Sequence, residues 1–77
     1  MTLHIKTEYL LQLLYNSKGN TPTYEELTLE LIVQSKSTVA YHVDLLKEDG
    51  LIVSADDSRN LLVTEKGVQY LGANKLI

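Results

Sequence analysis

The sequence contains no cysteine, which rules out both a disulfide framework and a thiolate metal site. No apolar run exceeds four residues, so nothing in it reads as a membrane span. The opening stretch MTLHIKTEYLL lacks the apolar core and small-residue cleavage site of a signal peptide, which makes a cytoplasmic address the expectation. Proline occurs once, at Pro22. Basic residues are scarce as well: 7 Lys and Arg stand against 10 Asp and Glu, a net charge of −3. Proteins that bind nucleic acid usually carry the opposite balance, because neutralising phosphates supplies much of their affinity.

What is present reads as one small folded domain over residues 1–77. Hydrophobic residues make up 44% of the chain and the charges are mixed, a composition of globular rather than disordered sequence. There is no internal repeat, no low-complexity tract and no linker. The acid is concentrated in the middle, where Glu25, Glu26, Glu30, Asp44, Glu48 and Asp49 face only Lys36 and Lys47. The flanking stretches are close to neutral.

Tyr9, Leu10, Leu13 and Leu14 recur at helical spacing, with Ile5 or Lys6 a turn earlier, and predict a first helix. Gly19-Asn20 is suited to the left-handed end of that helix. Thr23 followed by Glu26 forms a capping-box pattern for a second helix, whose buried stripe is Leu27 and Leu31, with Tyr24 a further candidate, ending near Ile32. Pro22 just outside costs this helix no hydrogen bond. Ser35 or Ser37 can cap a third helix carrying Val39, Val43 and Leu46, flanked by Ala40 and Leu45 and stopping at Asp49-Gly50. LIVSA and NLLVT, separated by the turn residues DDSR, predict a β-hairpin. Thr64-Glu65 opens a last helix with Val68 and Leu71 inward, and Tyr70 a further candidate. The order is α-α-α-β-β-α: a mainly α fold with a small β-hairpin, a winged helix-turn-helix.

In such a motif the third helix lies in the major groove and the residues near its start reach the bases. The candidate DNA-binding residues are therefore Ser35, Lys36, Ser37, Thr38, Tyr41 and His42. Hydroxyls exchange hydrogen bonds with base edges, and Lys36 can take a phosphate or a guanine. Each has a plainer alternative. Ser35 and Ser37 can serve as caps alone, Tyr41 can pack on the wing or a partner subunit, and His42 beside Val43 can be a partly buried helix residue. Arg59, in the wing DDSRN, is the candidate for a minor groove, although Asp56 and Asp57 beside it oppose phosphates and the turn can equally be a solvated one. His4 is expected to face solvent.

PTYEEL followed by SKSTVAYHVDLLKEDGLI resembles the DNA-binding domain of LexA-type SOS repressors, over Gly19 to Val53. The resemblance is carried by Ser35, Ser37, Thr38, Val39, His42, Leu46, Gly50, Leu51 and Ile52. It implies that Ser35, Ser37, Thr38 and Tyr41 stand at operator-contacting positions. Three features depart from that family. Ile32 stands where it has a glycine after the second helix, Thr28 replaces a small residue, and VTEKGVQYL is more similar to the strand-to-helix ending of MarR- and PadR-like regulators. LexA-type repressors continue into a self-cleaving protease domain for which this chain has no room, so a stand-alone regulator of bacterial, archaeal or phage type is expected.

The functional expectation is a sequence-specific double-stranded DNA-binding regulator, a repressor rather than an activator. It is expected to be a homodimer that joins through Val68–Ile77. Placement of Glu25 and Glu26 at a helix N-terminus, and of Asp44, Glu48 and Asp49 far along the third helix, leaves the reading face tolerant of DNA. The alternative is a winged helix that docks on a basic protein partner and does not itself bind DNA. An enzyme is not expected, since no nucleophile-base set, metal-ligand spacing or glycine-rich phosphate loop is present. Neither a cofactor nor a metal is implied.

Overall fold

Each helix begins where a side chain can accept from its free N–H groups. His4 Nδ1 accepts from the backbone of Lys6 at 3.1 Å, so this exposed histidine caps the first helix. Thr23 and Glu26 form the reciprocal capping box that the sequence predicts. Ser35 caps the third helix and Thr64 the fourth. The computed structural model describes residues 3–55 and 60–77. Along them run α1 (Ile5–Ser17), α2 (Tyr24–Leu31), α3 (Lys36–Glu48), β1 (Ile52–Ser54), β2 (Leu61–Val63) and α4 (Glu65–Ala73). The chain thus has a winged-helix-like arrangement, α-α-α-β-β-α.

The helix ends depart from the sequence reading in an informative way. At the end of α1 it is Lys18, at φ 51°, that takes the left-handed cap, with Gly19 following at φ 92°; Asn20 is not the left-handed residue. At the end of α2 no glycine is available, and Ile32 itself adopts φ 54°, ψ 54°. Its N–H donates to Leu29 and that of Val33 to Thr28, which answers the free carbonyls of the helix end. A left-handed conformation costs an L-residue about 1–2 kcal/mol and is least suited to a β-branched one. Gly50, at φ 72°, ends α3 at no such cost.

The core is one cluster: Leu10, Leu11 and Leu14 from α1, Leu27 and Leu31 from α2, Val39, Val43 and Leu46 from α3, with Leu51, Ile52, Leu61 and Leu71 from the hairpin and α4. Full burial of such a side chain stabilises by about 1.5–3 kcal/mol. The strands pair antiparallel, Ile52 opposite Val63 and Ser54 opposite Leu61, which turns Ile52 and Leu61 into the core and Val53 and Leu62 outward. Thr21 fixes the hairpin to the α1–α2 loop: its Oγ1 accepts from Leu61 N–H at 2.7 Å. On α4, Gly67 rather than Val68 faces inward, and Val68 is exposed. A Cβ at Gly67 would collide with the Leu51 carbonyl oxygen and approach Val63 Cγ1 to 2.6 Å, so only glycine lets α4 lie this close to the hairpin.

Candidate nucleic-acid interface

The start of α3 is organised by Ser35. Its backbone is extended (φ −150°, ψ 159°), and its Oγ accepts from Thr38 N–H at 3.4 Å while lying 3.3 Å from Thr38 Oγ1. Ser35 is therefore the cap, Ser37 is not, and Ser37 stands exposed one residue into the helix. Thr38 is half-buried, with its hydroxyl turned back toward Ser35. Beyond it, Ser37, Tyr41, Asp44 and Glu48 are all exposed and recur at helical spacing along one outward face. Hydroxyl and phenol occupy the first two turns, and carboxylates begin at Asp44, about 10 Å along the axis from Ser37 and about 4.5 Å from Tyr41 at a rise of about 1.5 Å per residue.

Lys36 does not present a free charge on this face. Its ammonium lies 3.1 Å from the Glu25 carboxylate in the first turn of α2, and both side chains are largely exposed. A surface pair of this kind is worth only about 0–1 kcal/mol and is readily opened by a competing anion. The pairing was not foreseen from the sequence. Its signal was there, in opposite charges in the first turns of two consecutive helices.

One candidate leaves the outward set. The His42 ring is buried, 6% exposed, and its Nδ1 lies 2.7 Å from Thr7 Oγ1 of α1, so it faces the core side of α3 and not a groove. Burial above all, and then the nearby charges of His4 and Lys6, hold its pKa below the ordinary value of 6.5. The stripe Val39, Val43, Leu46 already marks this side of the helix as internal, and His42 lies on it at i+3 from Val39. Tyr41, 60% exposed, meets the edge of the His42 ring at 5.3 Å between centroids and keeps its remaining surface outward. Arg59, with Asp56 and Asp57, lies outside the described residues.

No family model, curated protein or solved structure matches the chain.

The segment Val68–Ile77 divides between two roles. Leu71 is buried, and Leu76 is half-buried with its carbonyl accepting from Gln12 Nε2 at 2.6 Å, so both close the chain's own core. Val68 and Ile77 remain exposed. Tyr70 donates its hydroxyl to the Glu8 carboxylate and accepts from Leu3 N–H at 3.1 Å, which ties α4 to α1. Among the described residues no helix is long and apolar enough to cross a membrane, and no three potential ligands gather as a metal site would need.

Chemically, the exposed start of α3 offers neutral hydrogen-bonding groups and one screened cation on a rigid, capped helix. That is equipment for reading polar edges, with little for bulk phosphate neutralisation.

Proposed function

We propose that the protein is a non-enzymatic, sequence-specific double-stranded DNA-binding regulator that inserts the N-terminal half of α3 into the major groove. The observation that carries this reading is the exposed pair Ser37 and Tyr41 on the first two turns of a helix capped by Ser35. Groups at these positions reach base edges in helix-turn-helix proteins, and the acids of the same face begin only at Asp44. The likeness of SKSTVAYHVDLLKEDGLI to LexA-type repressors points the same way, and the VTEKGVQYL ending is similar to that of MarR- and PadR-like proteins. In this reading the protein is a repressor that acts in the cytoplasm.

A domain whose longest dimension is 29 Å covers one half-site, since half-sites lie about 34 Å apart. The protein therefore acts as a two-fold dimer, joined through the outward side of Val68–Ile77. Dimerisation also offsets the weak electrostatics of each copy, because one module buries only about 600–1,000 Å².

The Glu25–Lys36 pair favours a second reading, docking on a basic protein without DNA contact, because it removes the cation nearest the reading face. One experiment separates the two. Purified protein is titrated against a randomised duplex pool at low and near-physiological salt, and the bound fraction is sequenced. A recovered palindrome is expected. No enrichment at either salt would discard the DNA reading in favour of a protein partner.

A further inference from the structure

A further apolar surface is formed by elements other than α3. The N-terminal half of α1 and the end of α2 border a cleft of about 480 Å³, whose walls include Ile5, Tyr9, Ile32 and Leu76. This volume is within the range of about 300–1,000 Å³ found for binding clefts. Ile32 and Ile5 stand 83% and 75% exposed, and Leu29, one turn before Ile32 on α2, is 79% exposed. Isolated exposed aliphatics are ordinary, but Ile5 and Ile32, from two different elements, line one cleft.

Ile32 is the residue that gives the cleft its meaning. It holds a left-handed backbone, φ 54°, that glycine adopts freely, and it exposes nearly its whole side chain to water. Both features disfavour isoleucine at this position. Strain retained at an exposed position points from the outlier toward a function for that side chain.

The charges select the occupant. Glu8 and Glu30 line the same cleft; Glu8 accepts from the Tyr70 hydroxyl and Glu30 from that of Tyr9 at 3.3 Å, and neither is in an ion pair among the described residues. Lys6 also lines the cleft, but its ammonium donates to the Leu31 carbonyl at 2.7 Å, at the C-terminal end of α2. A second copy meeting this face across a two-fold axis would bring together two surfaces that each carry Glu8 and Glu30 against the single cation of Lys6. A partner with apolar side chains and basic neighbours meets no such conflict.

We propose that this cleft is a docking groove for an amphipathic helical segment of a protein partner, apolar on one face and flanked by lysine or arginine. Its apolar ridge packs between Ile5, Ile32 and Leu76, and its cations meet Glu30 and Glu8. This is the helix-in-groove mode of recognition, and it is independent of whether α3 reads DNA.

The test uses isotopically labelled protein and a synthetic peptide with leucines at i, i+4, i+7 and i+11 and lysines between them. A control peptide carries glutamates in place of the lysines. The lysine peptide is expected to shift the amide resonances of Ile5, Tyr9, Glu30 and Ile32, and to bind at least about tenfold more tightly than the control, as complementary charge around an apolar anchor requires. Ile32→Gly relieves the backbone and removes the side chain, so it should raise the melting temperature while weakening the peptide about tenfold. A loss of binding in a more stable protein cannot be unfolding. The proposal is overturned if neither peptide shifts those resonances, or if both bind equally. It is also overturned if sedimentation shows a wild-type dimer that Ile32→Gly abolishes, which would assign the cleft to a second copy.

Discussion

The Thr7 hydroxyl and the His42 Nδ1 lie 2.7 Å apart in the interface between α1 and α3, and they form a buried polar link between the two helices. The His4 ring stacks at 6.0 Å from that of His42, and Lys6 lies near enough to oppose its charge. A neutral His42 therefore belongs to the folded state.

The pH dependence of stability follows in sign. Burial, then His4 and Lys6, lowers the folded-state pKa of His42 below 6.5, so the unfolded chain binds the proton more readily. The contribution is fully present above pH 6.5 and is lost as pH falls through the folded-state pKa. Thermal melts should show a midpoint that is flat above pH 6.5, declines as pH falls from 6.5 to the folded-state pKa, and loses nothing more through His42 below it. His42→Gln, which keeps a polar group for Thr7, should reduce the acid-side decline. An identical decline in the variant would place the sensitivity elsewhere.

Thr7→Val tests the link from the other side. The substitution keeps the shape of a buried side chain and leaves the His42 ring nitrogen without its partner. An unsatisfied buried group costs about 1–3 kcal/mol. In a domain of this size each kcal/mol lowers the melting temperature by about 4–8 °C. A fall of less than about 2 °C, half the low end of that scale, would mean that water replaces the hydroxyl without loss.

Gly67 and Gly72, five residues apart on α4, should respond oppositely to alanine. At Gly67 the new methyl meets the Leu51 carbonyl oxygen and Val63, so α4 must move off the hairpin, at a cost of about 1–3 kcal/mol. At Gly72 nothing lies within 4 Å of the added atom. There alanine gains about 0.5–1 kcal/mol of helix propensity. Denaturant midpoints of the two single variants decide the matter, and equal shifts would contradict the close approach at Gly67.

The contrast between these glycines also shows what a sequence can and cannot convey. Thr23 with Glu26, Ser35 and Thr64 are local signals, since a cap needs only neighbours three residues away; the first and last were legible outright, and the cap of α3 was narrowed to Ser35 or Ser37. The inward turn of Gly67, with Val68 outside, depends on how near α4 comes to Leu51, a distance that no periodicity encodes. Likewise, Ile32 in the left-handed region contradicts every propensity; only the absence of a glycine there hinted that the turn was unusual. At the candidate interface, the outward placement of Ser37 and Tyr41 followed from the stripe Val39, Val43, Leu46. The inward side of His42 follows from the same stripe, whereas its hydrogen-bond partner Thr7, 35 positions away, is not decided by local spacing.

The Glu25–Lys36 pair gives a direct handle on the proposed DNA contact. If α3 enters a groove, Glu25→Gln frees the Lys36 ammonium for a phosphate and removes a repelling carboxylate. Affinity for duplex should rise, and the slope of log K against log salt should steepen by about 0.9, the increment for one additional phosphate contact. Lys36→Gln should have little effect on the slope by itself if the wild-type lysine stays paired, yet it should abolish the gain from Glu25→Gln in the double variant. Binding isotherms at four salt concentrations for the wild type, both single variants and the double variant complete the cycle. A gain from Glu25→Gln that persists without Lys36 would show that the carboxylate acts only through the general field of an acidic domain, and that Lys36 does not touch DNA.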